Sequence, residues 1–337
     1  MSTTAGRSRP TIEDVAVAAG VSRGTVSRVL NGGKWVSPDA HAAVESAIKR
    51  TGYRVNPHAR SLSRNRTDSV AFLLTEDAGS LFEDPNFSIL LKGAAAALAE
   101  HDVSLVLILA GTAAEQKRAL NYIEAGHVDG VLLVSAHAGA KLLADIQGSK
   151  VPAIACGIPI GYEKRMGYVA ADDDEGAREM VAYLRGLGRR RIATIAGPAD
   201  TPGGITRLAG YRDELGDAFD EALVQHGDYG RESGAAAMEL LLRENPDIDA
   251  VFAANDRMAA GAIEVLLRSG RRVPEDVAVG GFDDSSVAVS TTPQLTTMRQ
   301  PFTRISAEMV RLLLQTIDGE RPAAITLPTE LIVRESA

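Results

Sequence analysis

From Ser69 to the end, short apolar runs alternate with segments of helical periodicity, and this alternation limits the fold more than any other feature of the chain. The apolar runs Val70–Leu74, Val103–Leu109, Gly130–Val134 and Val151–Cys156 are separated by amphipathic stretches at Ile89–Glu100, Ala113–Ala125 and Ala140–Gln147. Strands spaced by helix-length segments imply a parallel sheet with right-handed crossovers. A second cycle follows, with strands at Arg191–Ala196, Ala250–Ala253 and Val277–Phe282 and helices at Glu175–Leu187, Ile205–Leu215, Gly234–Arg243 and Asp256–Ser269. Two doubly wound lobes of about a hundred residues each fit this pattern better than one large sheet. Ligands in such sheets bind beyond the carboxyl ends of the strands, so two facing lobes create a cleft.

The first 66 residues have a different texture. Thr11-Ile12-Glu13-Asp14 reads as a capping box with Asp in the acidic place, and Ile12, Val15, Ala16 and Ala19 form an apolar stripe behind it. After Ala19-Gly20-Val21, Ser22 can cap a second helix that runs to the stop at Asn31-Gly32. Its inward stripe is Val26, Val29 and Leu30, which leaves Arg23, Gly24, Ser27 and Arg28 facing out. Two short helices so joined make a helix-turn-helix, although periodicity alone fits an ordinary helical hairpin equally well. Ser37-Pro38-Asp39 opens a third helix that stops at Gly52, and Trp35 in the connecting loop is expected to pack beneath the head.

Charge separates these alternatives. Residues 1–66 carry 11 Lys and Arg against 4 Asp and Glu, whereas the whole chain carries 36 against 44. A basic head on an acidic body is the footprint of a nucleic-acid-binding module joined to something that is not one. Between them, Asn56-Pro57 starts a basic segment that sustains only about two helical turns and is marginal alone. It reads as a hinge that folds on meeting a partner, or as a plain basic linker. The expected organisation is a tail over 1–10, an all-α headpiece over 11–55, a hinge helix and linker over 56–68, and an α/β two-lobe body over 69–337. Lobe 1 is expected at about 69–167 with a late crossing segment at about 300–320, and lobe 2 at about 168–298 with the C-terminal strand.

Other classes find little support. One cysteine, Cys156, excludes an internal disulfide, and six scattered histidines offer no paired spacing for a metal, so no metal and no cofactor is expected. No apolar run reaches the roughly 20 residues of a membrane span and the N-terminus has no apolar signal core, which points to the cytoplasm and away from an exported solute-binding protein. Gly20-Val21-Ser22-Arg23-Gly24 matches the G-x-S-x-G of hydrolases, but that motif needs a strand before it, and here the spacing is helical. Gly32-Gly33-Lys34 is followed by Trp35, which breaks a phosphate-loop pattern. No catalytic residue is assigned.

The segments Thr11-Ile12-Glu13-Asp14-Val15-Ala16 and Gly20 to Gly32, followed by Val36-Ser37-Pro38 and Gly52-Tyr53-Arg54-Val55-Asn56-Pro57, resemble the LacI/GalR family of bacterial transcription regulators. The likeness continues through Ile192-Ala193-Thr194-Ile195-Ala196-Gly197-Pro198, Asn255 to Gly261, Gly281-Phe282-Asp283-Asp284 and Leu295 to Pro301. It implies a headpiece for the major groove, a hinge helix for the minor groove, and a periplasmic-binding-protein-like sensor that dimerises. On that likeness the DNA-contacting set is Thr11, Ser22, Arg23, Gly24, Thr25, Ser27, Arg28, Asn31, Tyr53, Asn56, His58, Ala59 and Leu62. Arg23 and Arg28 suit guanine, because the guanidinium fork can donate to O6 and N7 together. Leu62 matches an apolar wedge between base steps, and Ala59 the small residue where two hinges approach.

The same resemblance assigns effector binding to Phe87, Arg207, Tyr229, Asn255 and Asp283. Fixed donors and acceptors beside aromatic rings suit a sugar. Without the family, Asn255 or Asp256 reads as a helix cap, Asp283-Asp284 as turn residues and Arg207 as a surface ion-pair partner. Two positions depart from the family pattern: Asn86 replaces a common aromatic, and Gly157 stands where some members place Asp. Phe82-Glu83-Asp84-Pro85 and Val131-Leu132-Leu133-Val134-Ser135 look most similar to actinobacterial regulators of cello-oligosaccharide or β-glucoside use. The implied function is a homodimeric repressor of carbohydrate genes, held on a palindromic operator and released by a small sugar or oligosaccharide. A purine-responsive corepressor type is the alternative.

Overall fold

The structure is a computed structural model that describes residues 10–30, 35–53 and 66–337, so Asn31, Asn56, His58, Ala59 and Leu62, with the hinge helix, lie outside the described residues. The chain divides into two compact units, Met1–Thr67 and Asp68–Ala337.

In the first unit, helices α1 (Ile12–Ala19), α2 (Arg23–Leu30) and α3 (Pro38–Thr51) pack around Val15, Val26, Val44 and Ala47. Each helix starts where its cap dictates. Thr11 Oγ1 accepts from the Asp14 amide while Asp14 takes the Thr11 amide at 2.7 Å, and Ser37 Oγ accepts from the Ala40 amide. Gly20 ends α1 in the left-handed region, φ 67°, where its N–H returns to Ala16 and Val17 carbonyls and turns the chain into α2. Arg50 Nη2 donates to the Ala18 carbonyl at 2.6 Å, tying α3 to the negative end of α1. Trp35 is 90% exposed, so it does not pack beneath the head.

The second unit holds two six-stranded sheets. The first has the order β11-β5-β4-β3-β1-β2, with β1 (Ser69–Leu74), β2 (Ser104–Leu109), β3 (Gly130–Val134), β4 (Ala153–Cys156), β5 (Gly167–Ala171) and β11 (Ala324–Leu327), all parallel. The second has the order β12-β10-β9-β8-β6-β7, with β6 (Ile192–Ala196), β7 (Val224–His226), β8 (Ala250–Ala253), β9 (Ala278–Asp283) and β10 (Thr296–Arg299) parallel and β12 (Glu330–Ile332) antiparallel at the edge.

Between the strands run α4 (Ala78–Glu83), α5 (Pro85–Ala99), α6 (Ala113–Glu124), α7 (Lys141–Ser149), α8 (Asp173–Gly186), α9 (Pro202–Leu215), α10 (Arg231–Glu244), α11 (Asp256–Arg268) and α12 (Phe302–Ile317). Burial on both faces explains the unbroken apolar runs of β1 and β3. The core beneath α5 and α12 gathers Phe72, Leu98, Leu132 and Leu313, and that beneath α10 and α11 gathers Val251, Met238 and Leu266.

The chain crosses between the sheets three times, after β5, after β10 and after β11. One boundary differs from the sequence reading. Residues 168–171, given there to lobe 2, belong to β5, which pairs with β4 and β11 of the first sheet. The reason is local: Gly167-Tyr168-Val169-Ala170-Ala171 is a short strand that runs directly into the Asp172 cap of α8, leaving no loop to mark it.

Candidate functional site

Parallel strands point their carboxyl ends the same way, and the residues that follow them in both sheets converge on one cavity of about 350 Å³. Asp283 ends β9, Asn255 and Tyr229 sit just beyond β8 and β7, Gln300 follows β10, and Asp173 opens α8. Arg207 comes from α9 and Phe87 from the first turn of α5. All five residues expected to bind effector, Phe87, Arg207, Tyr229, Asn255 and Asp283, line this cavity, as do the two departures Asn86 and Gly157.

Arg207 is 6% exposed, so it is not a surface ion-pair partner. Its Nε donates to Asp173 Oδ1 at 2.8 Å, Nη1 donates to the Ala254 carbonyl at 2.5 Å and lies 3.6 Å from Asp283 Oδ1. The guanidinium also stacks 3.8 Å from the Phe282 ring centroid. Burial pulls its pKa down, but the charges of Asp173 and Asp283 more than reverse this and keep it protonated. Asp283 has φ 112°, a conformation that a non-glycine side chain adopts only when its surroundings impose it. Burial pushes its carboxyl well above the ordinary range, against the pull of Arg207.

Asn255 does cap α11, accepting from the Met258 amide at 2.9 Å, while its Nδ2 donates to the Tyr229 carbonyl at 3.0 Å. The cap and the place in the cavity wall are one arrangement. Tyr229 pairs its hydroxyl with Thr201 at 3.0 Å and lies against Gly197, where an added Cβ would sit 2.6 Å from the ring. Asp284, read as a turn residue, binds Arg299 and Arg334 through its two oxygens. Cys156 also lines the cavity, but burial raises its thiol to about 12, far from a reactive thiolate.

Several participants were not singled out in the sequence. Glu76 and His137 from the first lobe meet Asp200 from the second: His137 Nε2 lies 3.1 Å from Glu76 Oε1, and Nδ1 lies 2.9 Å from Asp200 Oδ2. The bond to Glu76, opposed by burial and helped by Asp200, raises His137 to about 9. Arg257 reaches Glu83 at 3.1 Å across the same divide. Buried Asp256 accepts from Thr297 Oγ1 and the Ser285 amide, and burial lifts it to about 7. Only the Asp256 cap position carried any sequence signal. No group among the described residues could hold a metal ion.

In the head, Ser22 Oγ accepts from the Thr25 amide at 3.1 Å and lies 3.0 Å from Thr25 Oγ1. That hydroxyl caps a helix and is preceded by a helix, so the hydrolase motif has no structural counterpart. Arg23, Gly24 and Arg28 are exposed on α2; Arg23 pairs with Glu13 at 3.2 Å and Arg28 Nε donates to the Gly24 carbonyl at 3.2 Å. Ser27 is half-buried, and Tyr53 packs against the small core. Exposed pairs of this kind are worth ~0–1 kcal/mol, so either arginine can leave its partner at small cost.

Residues 11–56 match the lacI family of bacterial regulatory proteins, and residues 181–337 match the periplasmic binding protein-like domain. The HTH-type transcriptional regulator CelR of Thermobifida fusca is 46% identical over 336 residues, covering 98% of this chain and 99% of the relative. AscG of Escherichia coli is 34% identical, with 92% of each chain covered. Among solved structures, a CelR–cellobiose complex superposes with a TM-score of 0.79 at 45% identity, covering 98% of this chain and 100% of that one. A lac repressor dimer bound to operator and the anti-inducer ONPF gives 0.86 at 27%, covering 98% and 99%. CelR and AscG are both HTH-type transcriptional regulators, and the likeness to CelR runs from the capped helices of the head to the last strand of the body: the chain belongs to the LacI family of DNA-binding transcriptional regulators.

Proposed function

We propose that the cavity binds a neutral gluco-oligosaccharide of the cellobiose type, and that its occupancy releases a homodimer from a palindromic operator controlling carbohydrate-utilisation genes. The observation that carries this reading is the cavity itself. Arg207, Asn255 and Asp283 place fixed donors and acceptors in a wall that also holds the rings of Phe87 and Tyr229. Its cations are already matched, Arg207 to Asp173 and Asp283, Arg257 to Glu83, and His137 to Glu76 and Asp200, and Asp84 and Asp228 add further carboxyls to the wall. Such a site suits hydroxyls, which both donate and accept, and penalises a phosphate that brings uncompensated charge. The identity to CelR and the likeness to a CelR–cellobiose complex support the same ligand class.

In this reading Arg23 and Arg28 select the half-site, with Thr11, Ser22, Gly24, Thr25, Ser27, Asn31, Tyr53, Asn56 and His58 placing the head, and Ala59 and Leu62 acting in the hinge. A dimer joins two heads of modest affinity through effective concentration. Calorimetry tests the ligand. Cellobiose or cellotriose is expected to bind once per chain, with glucose 6-phosphate inert, and binding of hypoxanthine or guanine alone would overturn the sugar reading in favour of the purine alternative.

A further inference from the structure

Asn86 sits where the two lobes meet. It lies in the first turn of α5, 8% exposed, in the wall of the cavity. Its backbone amide is spent on the Asp84 cap at 2.9 Å. Its Nδ2 donates across the divide between lobes to Asp283 Oδ2 at 2.7 Å. Its Oδ1 is fully buried, and no donor among the described residues reaches it. With Asp283 ionised beside Arg207 and accepting from Gln300 Nε2, the amide faces it through Nδ2, because turned over it would set a carbonyl oxygen against a carboxylate oxygen.

A purely structural tie does not account for this pattern. A buried acceptor without a donor is a standing penalty that a leucine or an aromatic ring would not carry. The partner carboxylate is equally constrained: Asp283 Oδ1 takes Gln300 Nε2 at 2.6 Å and lies near Arg207, while Oδ2 has Asn86 as its side-chain donor, on a backbone held at positive φ. Between the lobes, one donor faces one acceptor, with an unmatched acceptor on the same amide.

We propose that Asn86 and Asp283 form a pincer that reads two adjacent hydroxyls of the effector. When the direct 2.7 Å bond opens between the lobes, one hydroxyl takes its place, accepting from Asn86 Nδ2 and donating to Asp283 Oδ2, and its neighbour donates to the Asn86 Oδ1 so uncovered. The inference rests on the sugar reading above and assigns a specificity residue to it. A hydroxyl is required because it does both jobs. A methyl ether accepts but has no hydrogen for Asp283, and a deoxy carbon does neither. Sites built to pair with a hydroxyl reject analogues that lack it, since their own buried groups are left unpaired.

The test is calorimetry on the full chain, wild type and Asn86→Leu, with cellobiose and a set of cellobiose analogues in which each ring hydroxyl is replaced in turn by hydrogen. Asn86→Leu is expected to weaken cellobiose by about tenfold or more. One or two adjacent deoxy positions should bind the wild type about as poorly and lose little further in the variant. Unfolding in urea without sugar should show Asn86→Leu close to wild type, because loss of the unmatched acceptor offsets loss of the donor to Asp283 Oδ2. Wild-type affinity in the variant, or the same further loss for every analogue, overturns the pincer while leaving the sugar reading intact. Failure of wild type to bind either cellobiose or cellotriose overturns both.

Discussion

Arg207 joins several parts of the body's buried polar structure. It fills one carboxylate, approaches a second, donates to a carbonyl and lies on a ring, all out of water. Removing one partner of a buried charge pair costs ~3–5 kcal/mol, because the remaining charge has no substitute. Arg207→Met should therefore destabilise the body by roughly that amount in urea unfolding, and Arg207→Lys should recover only part of it, lacking the planar fork. A loss within error of zero for the methionine variant would show that solvent reaches Asp173 and Asp283.

At this scale the sequence was only partly legible. Residues in recognisable motifs, such as Arg207, Asn255 and Asp283, came forward with their family likeness. Asn86 and Asp283 lie 197 positions apart, and His137 meets Glu76 and Asp200 from 61 and 63 positions away. No periodicity connects residues at such separations. Trp35 misled the reading because an aromatic in a loop has no local signal for exposure.

Among elements, the clearest signals were caps. Thr11 with Asp14, and Ser37 ahead of Pro38, each start a helix by side-chain hydrogen bonds that a few adjacent residues specify. Short strands gave less: β5, β7 and β12 hold three to five residues and become strands only by pairing with distant partners. The turn between α1 and α2 depends on Gly20 at φ 67°. Gly20→Ala should cost about 1 kcal/mol in headpiece stability from backbone alone, because a Cβ there meets no other atom within 4 Å. Thermal melting of the two units should show the lower transition move while the body's stays.

The loops after β3 and β6 are joined by His137 and Asp200. Because the folded pKa of His137, about 9, lies above its ordinary 6.5, the protonated clasp contributes fully below about pH 6.5. Its contribution is lost as pH rises through about 9. The melting temperature of wild type should exceed that of His137→Gln near pH 6, and the gap should close near pH 10. A gap independent of pH would mean that the imidazole acts by packing alone.

For the molecule as a whole, the charge split was the most informative sequence property, since it separated a basic head from an acidic body before any family likeness. Arg23→Ala and Arg28→Ala should each weaken operator binding, with losses of ~1–3 kcal/mol where a bidentate guanine contact is removed. The central claim joins the two units: sugar in the body cavity controls DNA at the head. Fluorescence anisotropy with a labelled palindromic operator, at fixed salt, measures this directly. Titrating cellobiose into the preformed complex should lower the anisotropy to that of free DNA, at concentrations matching the calorimetric affinity. An operator complex that stays intact when calorimetry shows the cavity filled would contradict the account.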